Sequence, residues 1–188
     1  MKRFLLLISL CTVIQNFAQE KSLSSASEFI ERSSYVQINM DENEKATFKS
    51  GFGETVDFYS AEIIDLKKNE KMIGLTIESL FIIGQQGMSN IQAKETAWVG
   101  IEEIGDMITW LENYVIPNLQ QAVGKKKTIK YIFNSKEIML KFEVYDNKQI
   151  FSVILNNTNY HDKYFWTEAR VKDIPKVLEV LKFLQAKK

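Results

Sequence analysis

Beyond its first eighteen residues the chain has no cysteine, since Cys11 is the only one. A chain without thiols past that point forms no disulfide, uses no thiol nucleophile and builds no zinc-thiolate site. Histidine is nearly as scarce. His161 stands alone, so a Ser-His-Asp triad has one candidate base, and no G-x-S-x-G turn supplies a nucleophile for it. Zinc at His161 would need carboxylates for every other ligand, an uncommon set. Glycine is sparse, and Gly51-Phe52-Gly53 lacks the third glycine and the strand-loop-helix setting of a phosphate cradle. There is no excess of one charge either: 24 basic residues face 24 acidic ones. Such a balance provides no general field for nucleic acid or an anionic membrane. Catalytic residues, cofactor and metal are accordingly all expected to be absent.

The opening MKRFLLLISLCTVIQNFA reads as an export signal. Lys2 and Arg3 are followed by the apolar run Phe4 to Val13, with Ala18 a small residue suited to cleavage before Gln19. The run is shorter than the roughly 20 apolar residues of a membrane span, and no later segment reaches that length. Leu10 before Cys11 does not fit a lipobox. Residues 1–18 are therefore expected to be a signal peptide, and the protein to be periplasmic or extracellular. Their removal leaves 22 basic against 24 acidic residues, a charge of −2. The ending Ala18-Gln19-Glu20 resembles those of exported Bacteroidota proteins, which implies a compartment and no activity.

Residues 19–45 read as a linker or short helix, with Phe29 and Ile30 as anchors, Ser25 and Glu28 as a capping pattern, and Asp41 to Lys45 as a polar connection. Strands follow at Val56 to Leu66 and Lys71 to Ile83, separated by Lys67-Lys68-Asn69-Glu70. In the second of them Ile73, Leu75, Ile77, Phe81 and Ile83 share one face. Gly84-Gln85-Gln86-Gly87 ends it, and a strand is expected over Ala93 to Ile101. A helix capped by Asp106 carries Met107, Leu111, Tyr114 and Val115 to Pro117, which should break or kink it. Strands are expected again at Thr128 to Asn134, Glu137 to Tyr145, Gln149 to Leu155 and Tyr160 to Glu168. A last helix starts at Asp173, with Ile174, Val177, Leu178, Leu181 and Leu184 along one stripe.

The chain is thus expected to be α+β, with residues 46–124 and 125–188 each an antiparallel meander closed by an amphipathic helix and joined in one unit. Ile104-Gly105-Asp106-Met107 lines up with Val171-Lys172-Asp173-Ile174, and a tryptophan, Trp98 or Trp166, precedes each. The halves read either as an internal β4α duplication or as two units sharing common capping and stripe patterns. The order is similar in outline to the PUR-repeat and Whirly families of single-strand nucleic-acid binders. No motif of those families matches residue by residue. The resemblance implies their fold; their nucleic-acid function does not suit an exported, slightly acidic chain.

Several constellations carry chemistry. Asp41, Glu42, Asn43 and Glu44 offer oxygen ligands but miss the calcium-loop pattern at Lys45. Glu54, Asp57, Glu62, Asp65 and Glu78 lie on neighbouring strands, where a pair of acids would suit glycoside hydrolysis. Lys125, Lys126, Lys127 and Lys130 form a basic patch, and Asn156-Asn157-Thr158 is a glycosylation sequon. Tyr160, His161, Tyr164 and Trp166 make the candidate binding surface, because strand alternation sends Tyr164 and Trp166 away from Phe165. The function expected is an exported, non-catalytic protein binding a protein, peptide or glycan. A carboxylate hydrolase is the alternative, and single-strand nucleic-acid binding by fold analogy the third.

Overall fold

A computed structural model describes residues 22–120, 127–146, 148–156 and 164–188 of the chain. Helix α1 (Ser25–Arg32) precedes a sheet of β1 (Val36–Lys49), β2 (Thr55–Asp65), β3 (Glu70–Gln86) and β4 (Ser89–Gly100). Helix α2 (Ile101–Trp110) follows. The second sheet holds β5 (Thr128–Asn134), β6 (Ile138–Tyr145), β7 (Lys148–Leu155) and β8 (Phe165–Thr167), and α3 (Ile174–Ala186) ends the chain. All strand neighbours are antiparallel and consecutive, so the α+β order of two similar units read from the sequence is present. Asn69 and Asp146 turn two hairpins at φ 57° and 48°, a region that their short polar side chains tolerate.

Alternation explains how the core assembles. In the first sheet Phe48, Phe58, Leu75, Ile77, Phe81 and Val99 point to one face and are buried. In the second, Leu140, Phe142, Phe151, Val153 and Phe165 do the same. These inner faces join in one apolar core with α2 and α3. Phe48 of β1 and Phe151 of β7 meet with ring centroids 5.0 Å apart. The helices also tie the halves together. Helix α3 lies on β1, β2 and β3, whereas the ring of Trp110 at the end of α2 meets that of Phe133 of β5 at a tilt, centroids 5.9 Å apart. The apolar surface that both halves remove from water thus lies in one shared core.

The outer faces differ. Helix α1 covers one end of the first sheet, where Ala26 and Phe29 pack on Ala61, Ile63 and Trp98. Gly74 makes the approach possible, because a Cβ there would stand 3.2 Å from the Ala26 Cβ. No comparable helix lies on the outer face of the second sheet among the described residues.

Several boundaries differ from expectation. The segment read as a linker holds α1, capped by the Ser24 hydroxyl rather than by Ser25, and the first half of β1. Of the expected connection Asp41 to Lys45, Asp41 to Glu44 form a bulge within that strand, between the pairs Met40–Ala61 and Lys45–Tyr59. Strand β3 continues through Gly84 to Gln86, and β4 starts at Ser89 instead of Ala93. Helix α2 begins at Ile101, with Gly100 as its cap and Glu102 and Glu103 in the first turn, where acids suit the exposed amides. Asp106 is therefore inside the helix. Pro117 acts as expected: the helix widens into a π turn (Leu111–Val115) and closes in a 3₁₀ turn (Ile116–Asn118). A 3₁₀ turn (Val171–Asp173) precedes α3, and Asp173 pairs with Arg170 instead of capping through its side chain. Among the described residues no helix is long and apolar enough to cross a membrane.

Candidate functional site

The outer face of the second sheet is built by the odd residues of β6 and the even ones of β5, β7 and β8. Register places Trp166 beside Ser152, Ser152 beside Lys141, and Lys141 beside Ile132, one row across all four strands. The neighbouring rows are Ile150–Glu143–Lys130 and Ile154–Met139–Asn134. Trp166 is 40% exposed and Tyr164, two residues earlier, 50%. Ile132 is exposed too, whereas Ser152 is buried between the larger side chains of its row. Glu143 takes ion pairs from Lys130 at 2.8 Å and Lys141 at 3.7 Å, so one carboxylate is shared by two ammonium groups and the cluster keeps a single positive charge. The result is an aromatic and aliphatic surface with ion-paired charges on the outer face of the sheet.

Of the four residues singled out in sequence, Trp166 lies on this surface and Tyr164 is exposed just before β8, ahead of the paired residues, while Tyr160 and His161 fall outside the described residues. The other two tryptophans are core: Trp98 and Trp110 are each 7% exposed. Trp98 is nevertheless the counterpart of Trp166. Each sits on the last strand of its meander, on the outer face, opposite a buried hydroxyl residue, Thr76 or Ser152. One step along, the first sheet has the pair Ala61–Gly74, and the second has Glu143–Ile150. The small pair admits α1. The large pair fills that space. Ile132, Lys141, Ile150 and Ile154 were not singled out in sequence, although the run Ile150-Phe151-Ser152-Val153-Ile154-Leu155 signals a strand apolar on both faces.

The carboxylates divide. Asp57 and Glu78 are direct cross-strand neighbours on the outer face of the first sheet, at a pocket of about 210 Å³ with Lys94 and Thr55. Thr47 donates its hydroxyl to Asp57, and Lys94 pairs with Glu78 at 2.8 Å, offsetting the repulsion of opposed like charges. Glu54 instead accepts from the Ile82 amide, and Glu62 accepts from Lys71 and Asn39, which hold its carboxyl below the usual range. Burial pushes Asp65 up, but the amides of Lys68 and Lys67 and the Ser33 hydroxyl outweigh it and leave its pKa lowered. Tyr59, on the row next to Asp57, is raised by burial and by that carboxylate.

The remaining motifs have structural roles. In the Asp41–Glu44 bulge Asp41 accepts from the Asn43 amide, Glu42 pairs with Lys45 and Asp41 with Lys187. Among the described residues no three His, Cys, Asp or Glu side chains converge on a metal position. Lys130 is bound to Glu143, while Lys125 and Lys126 lie outside the described residues. The Asn156 amide donates to the carbonyls of Ser135 and Lys136, and Asn157 and Thr158 again lie outside.

One polar junction was invisible in sequence. Glu137, 5% exposed in the β5–β6 turn, accepts from the amides of Trp98 at 2.9 Å and Ser24 at 2.8 Å. It ties the second meander to the edge of β4 and the start of α1. Beside it Glu102 accepts from the Ser25 amide and hydroxyl, and Glu103 from the Lys136 amide. Burial pushes the Glu102 carboxyl up, but the Ser25 hydroxyl and nearby amides bring it below the usual range. Here every acid except the second oxygen of Glu103 serves the fold. No family model, no curated protein and no solved structure matches the chain.

Proposed function

We propose that this chain is an exported, non-catalytic binding protein that takes its partner, an extended peptide or a glycan, on the outer face of the second sheet. The observation that carries the reading is the contrast between the equivalent tryptophans: α1 buries Trp98, while Trp166 stays exposed on a face that no described helix covers, with the exposed Tyr164 two residues away. Because Glu143 and Ile150 stand where Ala61 and Gly74 admit α1, a helix is kept at a distance. A flat sugar ring or an extended strand fits this surface better. Exposed aromatic rings supply large contact area at little entropic cost.

The test is a glycan array and an extended-peptide library probed with the native protein and with Trp166→Ala/Tyr164→Ala. Binding that falls at least about tenfold in the variant, which corresponds to roughly 1.4 kcal/mol, supports the reading. Undiminished binding by the variant overturns it. The adjacent Asp57 and Glu78 favour a second reading, glycoside hydrolysis at the first sheet. Turnover of a chromogenic glycoside that disappears in Asp57→Asn would establish that instead. Retention on single-stranded DNA that weakens with salt would favour the nucleic-acid reading instead.

A further inference from the structure

The β3–β4 hairpin extends past the rest of its sheet. The last pair between β2 and β3 is Thr55–Leu80, whereas β3 and β4 continue pairing to Gln86–Ser89. From Ser79 to Ala93 there is no charged residue, in a chain that is 26% charged. Met88 at the tip is fully exposed and Ile91 is 43% exposed. A two-stranded ribbon is at best marginally stable alone in water. Open edges are ordinarily blunted by charge or proline, and this one has neither.

Among the described residues a side-chain acceptor guards the edge of β4 near one end. Near Gly100 the Glu137 carboxylate takes the Trp98 amide. Toward the tip, β4 is the terminal strand of its sheet and no described strand pairs with its far side.

We propose that the segment Ser89–Ala93 of β4 pairs antiparallel with the same segment of a second copy of this chain. The chemistry of the segment selects that partner. Without charge it offers nothing to a strongly charged surface. Asn90 Oδ1 already accepts from Gln85, so the self-complementarity lies in the main chain, whose antiparallel edge offers N–H donors and C=O acceptors to a copy of itself. A two-fold axis at Ile91 sets Ile91 against Ile91 of the second copy, and Asn90 against Gln92 of the second copy, as an isologous contact requires. The two four-stranded sheets then become one continuous sheet, and both ribbons gain a neighbour. The contact is smaller than the 20–30 residues per side of a tight interface, so dimerisation depends on concentration.

Two measurements test this. Sedimentation velocity over a concentration series is expected to show a monomer–dimer equilibrium that Ile91→Lys weakens at least about tenfold, because two ammonium groups then oppose each other. Circular dichroism checks that this variant, altered at an exposed position, keeps its fold. In a Cys11→Ser background, Ile91→Cys introduces the only thiol of the chain. Facing Cα atoms across a non-hydrogen-bonded antiparallel pair are about 4.5 Å apart, within disulfide reach. Oxidation should therefore link Ile91→Cys into dimers much faster than Met88→Cys. A chain that stays monomeric up to millimolar concentration overturns the proposal. So does a dimer that Ile91→Lys leaves intact, or cross-linking that favours Met88→Cys. A monomer that floats with phosphatidylcholine vesicles through its ribbon would also overturn it, in favour of a lipid surface. Failure of these experiments leaves the binding reading at Trp166 untouched, since the two surfaces belong to different sheets.

Discussion

Replacing Glu137 by alanine should destabilise the protein more than replacing any exposed acid. The side chain is buried, and its two oxygens accept from the main-chain amides of Trp98 and Ser24 at 2.9 and 2.8 Å. Neither amide is used by secondary structure: the first faces outward from an edge strand, and the second precedes the first turn of α1. Stranding a buried donor costs about 1–3 kcal/mol, so two cost about 2–6 kcal/mol. That is a large share of the roughly 5–15 kcal/mol that holds a domain of ordinary stability. Glu137→Gln keeps the shape and one acceptor oxygen but turns an NH₂ toward the other amide, so about half the loss is expected. Urea unfolding followed by circular dichroism measures both variants, with an unchanged slope required for the comparison. Hydrogen exchange at the Trp98 amide should accelerate in both. Alanine within about 0.5 kcal/mol of the native protein, or glutamine no better than alanine, would refute the hydrogen-bond accounting.

Phe151→Ala removes a fully buried ring that meets Phe48 across the two sheets and should cost about 3–5 kcal/mol. Because the core is shared, calorimetry should show one unfolding transition in native protein and variant alike; two separated transitions would contradict a common core. Gly74→Ala places a Cβ 3.2 Å from the Ala26 Cβ and should destabilise by about 1–2 kcal/mol. In an Ala26→Gly background its penalty should shrink, and a double-mutant cycle without coupling would show that α1 does not seat there. Asp65 has a folded pKa below its ordinary 3.8, so the unfolded chain takes up the proton first. Its stabilisation is complete above about pH 4 and fades as pH falls through the lower folded value. Asp65→Asn should therefore lose stability at pH 7 and show a flatter decline below pH 4, measured as urea midpoints at both pH values; an equally steep decline would rule the residue out as a contributor.

What could be read from the chain follows the range of the interactions involved. The inner faces were legible because alternation is local: Leu75, Ile77 and Phe81 are two or four residues apart and all buried. The first half of β1 was not, because Gln37, Asn39 and the Asp41–Glu44 bulge carry the polarity of a loop, and strand pairing with β2 overrides it. The start of α2 was misplaced because Asp106 has the chemistry of a cap, whereas the cap is Gly100 and the acids of the first turn are Glu102 and Glu103. Glu137 illustrates the limit. Its partners lie 39 and 113 residues away, and nothing around an acid in a short turn announces them.

The same limit applied to the candidate surface, and the two tryptophans show why. Alternation placed Trp166 and Phe165 on opposite faces, which holds: Phe165 is fully buried and Trp166 exposed. Alternation says equally that Trp98 leaves the inner face, yet Trp98 is 7% exposed. The difference is α1, a helix from the other end of the sequence for which the second half has no described counterpart. Whether an outer face is free therefore depends on an element the strand pattern does not contain. Once that helix is in place, small side chains become the telling residues. Ala61 and Gly74 leave the space in which α1 lies, and Glu143 and Ile150 fill the corresponding space on the second sheet. A face that had merely lost its helix would keep a groove beside its tryptophan. This face has large side chains there and ion pairs across them, and that is why the partner proposed for it is an extended strand or a sugar ring on Trp166 rather than a helix.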